Sequence, residues 1–265
     1  MIFIERPDDP RIAGFRDIRE RDLTGRQGLF VAEGEVVLRV LTSRHALCRP
    51  RAVLLAENRH EGLADALSDL DEDVPVYIAG RAVLDAIAGF PLHRGILALG
   101  EKPASRSLDA LIGEMGADAT VILACGIGNH DNMGGIFRNA AAFGADAVLL
   151  DQRCCDPFYR KAIRVSVGAA LRTPMATGLQ PIPAIVSLKA AGFRVLAMTP
   201  SANLSLDQAP TGGRVAIVLG PEGPGLDSGV IARCEPVGIR MSGGFDSLNV
   251  AVAGAIALHH FARRA

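Results

Sequence analysis

Four apolar runs recur in the second half of the chain, over residues 120–124, 147–150, 194–198 and 215–219. None alternates apolar with polar positions, the pattern of strands buried on both faces, and the stretches between them are long enough for helices. An α/β fold with a mostly parallel, helix-flanked sheet is predicted, with any ligand at the C-terminal ends of its strands. Those ends are residues 126–132, Thr199 with Pro200, and 220–225. The first half reads as a smaller α/β module: buried strands over 29–32, 52–56 and 74–78, and helices over 35–41 and 61–70. The polar, proline-bearing stretch 100–107 separates the two patterns and predicts domains 1–104 and 105–265.

Two helices of the second half carry unusual sequences. One is predicted from Asn132 as N-cap through Phe143, with Gly144 ending it. Its face of Gly134, Gly135, Arg138, Ala141 and Ala142 is small except for the arginine. Two glycines in a first turn destabilise a helix unless another backbone or a ligand comes close. Arg138 therefore reads either as a functional cation on a closely approached face or as an arginine paired at a packing seam. The other helix is predicted from Ser247 as N-cap to about Arg263, and its small residues Ala251, Ala253, Gly254, Ala255 and Ala257 predict close helix packing.

Composition narrows the chemistry. The chain has 265 residues, 49% hydrophobic and 22% charged, with a formal net charge of -1, so any basic surface is local. Lys102, Lys161 and Lys189 are its lysines and none follows a glycine, which excludes a phosphate loop of the G-x-x-x-x-G-K type. The start lacks a basic segment followed by an apolar run, and no stretch of 18 apolar residues occurs, so a cytoplasmic protein without membrane contact is expected. The five cysteines are scattered, never C-x-x-C, and read as reduced thiols. No metal site is expected: Asp69, Asp71 and Asp73 lack the glycine turn of a calcium loop. His130, His259 and His260 form no ligand pattern.

The turn over 220–225, G-P-E-G-P-G, is not the dinucleotide fingerprint, and its two prolines remove N–H donors. A stiff backbone wall with one carboxylate, Glu222, suits an adenine or ribose better than a pyrophosphate. Two clusters are candidates for RNA contact. Arg153, Arg160, Lys161, Arg164 and Arg172 outnumber Asp151 and Asp156. Near the start, Arg6, Arg11, Arg16, Arg19, Arg21 and Arg26 alternate with Asp8, Asp9, Asp17, Glu20 and Asp22, which fits a self-paired solvated face equally well.

Residues 132–138 (N-M-G-G-I-F-R), 219–223 (L-G-P-E-G) and 239–250 (I-R-M through S-L-N-V) resemble, in order, the three motifs of the SpoU (TrmH) class of SPOUT RNA ribose 2'-O-methyltransferases. Residues 164–168 resemble a signature between the first two. Residues 9–12 and 28–34 resemble the ribosomal-protein-like substrate-binding domain attached to many members. The resemblance implies a deep trefoil knot, S-adenosylmethionine as methyl donor, an RNA partner of ribosomal or transfer class, no DNA, and a homodimer. It implies catalytic roles for Asn132, Arg138, Glu222, Ser247 and Asn249, and cofactor contacts at Thr199, Leu219, Gly220, Ile239, Met241 and Leu248. In the family the arginine is assigned the proton of the ribose hydroxyl. A guanidinium holds its own protons firmly, so orienting the hydroxyl and stabilising oxyanion charge suit Arg138 better. Arg240 stands where the family usually has proline, and Gly135 where alanine is commoner. A non-catalytic RNA-binding module and a nucleotide-dependent oxidoreductase are the alternatives.

Overall fold

A computed structural model of the chain describes residues 1–16, 28–88, 95–243 and 247–262. Arg19, Arg21, Arg26, Asp17, Glu20 and Asp22 lie outside the described residues. In chain order the strands are β1 (Ile2–Ile4), β2 (Leu29–Glu33), β3 (Arg49–Ala56), β4 (Val76–Ala79), β5 (Ile96–Glu101), β6 (Ala119–Ala124), β7 (Ala147–Asp151), β8 (Met175–Leu179), β9 (Arg194–Met198), β10 (Leu204–Ser205), β11 (Arg214–Leu219) and β12 (Glu235–Gly238). The helices are α1 (Glu35–Thr42), α2 (Ala64–Ser68), α3 (Arg81–Ala88), α4 (Leu108–Glu114), α5 (His130–Ala142), α6 (Arg160–Val165), α7 (Pro181–Ala190), α8 (Ser228–Ile231) and α9 (Val250–Phe261). They form two compact units, Met1–Pro103 with Asp156–Arg172, and Ala104–Cys155 with Thr173–Ala265.

The first unit has a sheet of order β1-β4-β3-β5-β2, parallel from β1 to β3 and antiparallel where β5 meets β3 and β2. On α1 the buried residues Val37, Leu38 and Leu41 recur at helical spacing, so one stripe faces the core. The expected division at residue 104 needs a correction, because Asp156–Arg172 belongs to this unit. The Phe158 ring lies 5.4 Å from Phe30, the Lys102 ammonium pairs with Asp156 at 2.5 Å, and the Leu47 N–H donates to the Leu171 carbonyl at 2.8 Å. Burial of Phe158 and Leu171 holds the segment there. At the start of the chain the described arginines bond locally, Arg6 with Asp8 and Arg11 with Asp9, each at 2.6 Å, and Arg16 to the Asp9 carbonyl at 3.2 Å.

The second unit is a seven-stranded sheet of order β10-β12-β9-β11-β6-β7-β8 in which every pairing is parallel. All six residues of β6 are buried, as both-face burial requires, among Val121, Leu123, Leu149, Ala216 and Val218. From β6 the chain builds outward through β7 and β8, then returns to lay β9 and β11 on the other side. The gap between β6 and β11 is thus a topological switch point, where the loops at the strand ends splay apart.

Candidate functional site

Three loops and two helices meet at that switch point. Asn129, not Asn132, caps α5: its Oδ1 accepts the N–H groups of Asp131 at 2.7 Å and Asn132 at 3.4 Å. Asn132 lies inside the first turn and is buried. The cap of α9 is Asn249 rather than Ser247, its Oδ1 accepting the N–H groups of Ala251 at 2.9 Å and Val252 at 3.2 Å. In both cases an asparagine lies nearer the point where the helical hydrogen bonds begin. Either side-chain oxygen then reaches two orphan N–H groups.

The Asn249 amide nitrogen donates to Asn132 Oδ1 at 2.8 Å and to Glu222 Oε1 at 2.9 Å. One side chain therefore ties together residues from three separate sequence motifs, with its oxygen and both amide protons used. Helices α5 and α9 pack closely beside this junction. A Cβ at Gly135 would lie 2.7 Å from the Cβ of Ala251, and the Asn139 amide donates to the Ala251 carbonyl at 2.8 Å. Close approach explains Gly135. His259 and His260 serve packing: the first lies edge-on to Phe143 at 5.7 Å, and the second bonds the Ala209 carbonyl at 2.8 Å.

A cavity of about 910 Å³ opens against this junction. Its walls are the ends of β9 and β11, the turn 220–226 and the segment leading into α9. Thr199, Leu219, Gly220, Glu222, Ile239, Met241, Ser247, Leu248 and Asn249 all line it. Leu226 and Ile231 also line it, positions that the sequence pattern did not single out, as do Pro221, expected only to stiffen the turn, and Ala253, expected only to pack against a neighbouring helix. Gly220 is obligatory, since a Cβ there would meet the Leu226 nitrogen at 2.7 Å. Arg240 is absent from the lining although Ile239 and Met241 belong to it; its guanidinium pairs with Asp207 at 3.7 Å. The Ser205 hydroxyl, and secondarily Arg240, hold the Asp207 carboxyl below its usual range.

The cationic candidates separate. Arg138 is exposed on α5 with no hydrogen-bond or ion-pair partner among the described residues, so no packing seam within this chain pairs it. Arg160, Lys161, Arg164 and Arg172 belong to the first unit and Arg153 to the second, so the five do not all belong to the C-terminal domain as expected. Arg160 lies 3.8 Å from Glu33, whereas Arg164 and Arg172 are exposed without a partner among the described residues. Arg153 is bound to Asp151 and Asp227, each at 3.2 Å. Burial pushes the thiols of Cys48 and Cys154 up to about 12 and raises Cys125 and Cys234 as well, so none of these four is poised as a nucleophile at neutral pH. No helix among the described residues is long and apolar enough to cross a membrane.

Known proteins share sequence and fold with this chain. An uncharacterized tRNA/rRNA methyltransferase of Mycobacterium tuberculosis strain H37Rv is 39% identical over 269 residues, covering 97% of this chain and 90% of the relative. A crystal structure of an RNA 2'-O ribose methyltransferase superposes with a TM-score of 0.76 at 26% identity, over 98% of this chain and 97% of the other. An AdoMet-bound rRNA methyltransferase from Sinorhizobium meliloti superposes with a TM-score of 0.78 at 21% identity, over 97% and 96% of the two chains, and shares the fold. The sequence pattern of the SpoU rRNA Methylase family matches residues 119–259, from the first residue of β6 to within two residues of the end of α9, and the chain belongs to that family.

Proposed function

We propose that the chain is an S-adenosylmethionine-dependent methyltransferase acting on a ribose 2'-hydroxyl of ribosomal or transfer RNA. The observation that carries this reading is the double donation of Asn249 to Asn132 and Glu222 at the mouth of a cavity built from the same motifs. The cavity suits the donor. Its volume lies in the range of small-molecule sites, Leu219, Ile239, Met241 and Leu248 offer apolar walls for a flat base, and the glycine turn lets backbone approach closely. When bound, S-adenosylmethionine supplies a methyl group made electrophilic by its sulfonium.

The protein's share is then positioning. In-line attack requires the ribose oxygen to be held within near-attack distance, which supplies much of the rate of such a transfer. Arg138, exposed and unpaired among the described residues, does not line the cavity; in a homodimer one subunit's Arg138 serves a site completed by its partner, where its guanidinium N–H donors orient the ribose hydroxyl and its phosphate and stabilise the oxyanion charge that develops. Asn132 and Glu222, locked by Asn249, set the rim on which the nucleotide rests, and Ser247 lies on the same rim. The segments 198–201 and 220–226, with Ile239, Met241 and 247–249, converge on this one cavity, an arrangement that fits a trefoil knot in this half of the chain.

The remaining features support the larger assembly. Val252 and Ile256, one helical turn apart on α9, are 47% and 39% exposed, an apolar pair that suits a second copy of the chain. Lys161, Arg164 and Arg172, all exposed, supply phosphate contacts on the first unit. The test is incubation of the full chain with labelled S-adenosylmethionine and total RNA from cells lacking the protein, followed by mapping of the new methyl group. Label on a ribose 2'-oxygen is expected, reduced about 100-fold or more by Arg138→Ala with the fold intact. A protein that binds no S-adenosylmethionine, or a methyl group found on a base, would refute the reading.

A further inference from the structure

The most buried carboxylate near the site is not one of the motif residues. Asp151 ends β7 with its side chain fully covered, at 0% exposure. Its Oδ1 accepts the N–H groups of Gly126 and Arg153, both at 2.9 Å, and its Oδ2 accepts Arg153 Nε at 3.2 Å. A buried carboxylate is tolerated only with such donors. The Arg153 guanidinium then extends to Asp227 Oδ2 at 3.2 Å. Between these anchors it passes over Gly126: a Cβ built there would lie 3.8 Å from Arg153 Cζ and 3.5 Å from Pro221 Cγ. A single side chain thus spans the ends of three adjacent strands, β7, β6 and β11.

Both anchored loops lead to the cavity. Gly126 is three residues before Asn129, the cap of α5, and six before Asn132. Asp227 directly follows Leu226, the last residue of the cavity turn. Arg153 itself does not line the cavity, so any effect it has there is exerted through other residues. Its charge is also spent: one guanidinium lies between two carboxylates, a local excess of negative charge that repels phosphate.

We propose that Arg153 is a positioning residue of the cofactor cavity, bracing the exit of the turn 220–226 against the loop that enters α5, rather than a phosphate contact. The inference rests on the reading of the cavity as the S-adenosylmethionine site. Loosening the brace lets the turn that forms the cavity wall move relative to Asn132, and the cavity loses its preorganised shape.

The test uses the full chain with Arg153→Ala, Arg153→Lys, Asp227→Asn and the Arg153→Ala/Asp227→Asn double variant. S-adenosylmethionine affinity is measured by calorimetry, RNA affinity over a salt series, and amide hydrogen exchange across 126–132 and 220–227. Arg153→Ala and Asp227→Asn are each expected to weaken S-adenosylmethionine binding about three- to fivefold, the double variant no further than either alone. Arg153→Lys restores little, because an ammonium lacks the fork that reaches both carboxylates. RNA affinity and its salt slope stay at wild-type values, and exchange rises in both loops. A loss of RNA affinity with a shallower salt slope and unchanged S-adenosylmethionine binding would overturn the proposal. Unaltered exchange in both loops would overturn it too, even if the wild-type chain bound no S-adenosylmethionine and the methyltransferase reading failed on its own account.

Discussion

Replacing Asn249 with alanine removes four hydrogen bonds at once: two accepted from the start of α9 and two donated, to Asn132 and Glu222. Loss of the cap costs about 1 kcal/mol. Asn132 is 7% exposed, so its Oδ1 is left without a partner where water reaches poorly, a cost of about 1–3 kcal/mol. Glu222 is exposed, and solvent replaces its bond with little loss. The sum is about 2–4 kcal/mol for Asn249→Ala. Asn249→Ser keeps an oxygen at the cap and loses only the donors, so it recovers about 1 kcal/mol of that. The chain has no tryptophan, and its two tyrosines, Tyr77 and Tyr159, lie in the first unit, so intrinsic fluorescence is blind to this site. Hydrogen exchange of the α5 and α9 amides reports the local free energy instead. Equal losses for the serine and alanine variants, or a loss below about 0.5 kcal/mol for alanine, would refute the assignment of Asn249 as both cap and tie.

Gly135→Ala gains about 1 kcal/mol of helix propensity but forces its Cβ to within 2.7 Å of Ala251, and overpacking of about 1–3 kcal/mol prevails. A net loss in denaturant unfolding is expected, with favourable coupling when Ala251→Gly is added; a stabilised Gly135→Ala would contradict it. Reversing Arg164 and Arg172 to glutamate is expected to weaken RNA binding and flatten its salt slope by about one to two, while thermal stability holds within about 0.5 kcal/mol. Unchanged RNA affinity would remove these arginines from the interface. The Cys48 thiol, pushed up to about 12 by burial from an ordinary value of 9.0, keeps its proton in the fold while the unfolded chain releases it. Its contribution is intact below pH 9 and is lost as pH rises toward 12. Stability should therefore decline above pH 9 by up to about 1.4 kcal/mol per pH unit for each such thiol, and Cys48→Ala should lessen that slope in melts from pH 7 to 10.5.

Much of the second unit was legible because its strands are buried on both faces and therefore uniformly apolar. β6, β7, β9 and β11 lie where the runs over 120–124, 147–150, 194–198 and 215–219 place them. β12 was not legible: Glu235-Pro236-Val237-Gly238 is short, carries a proline and has only two buried residues. It becomes a strand by pairing with β9. In the first unit the helix expected over 61–70 is a 3-10 turn, Glu61–Leu63, followed by the five residues of α2. The membership of Asp156–Arg172 was hidden for a different reason. It depends on Phe158 meeting Phe30, a contact more than a hundred residues apart that no local period encodes.

The site shows the same division between local and distant information. Residue type exposed the acceptors that begin helices, yet asparagines and serines compete for the cap, and only the helix geometry selects Asn129 and Asn249 over Asn132 and Ser247. That selection has a chemical consequence. With α5 already capped by Asn129, the side chain of Asn132 is released from its own helix and can accept from Asn249. Arg240 follows the same logic. With Ile239 and Met241 on the cavity, Arg240 is turned outward to Asp207, and a charged residue occurs in the segment without entering the apolar wall. Had it faced inward, the charge would have needed a partner inside the cavity, and none of the described lining residues except Glu222 carries a charge to supply one.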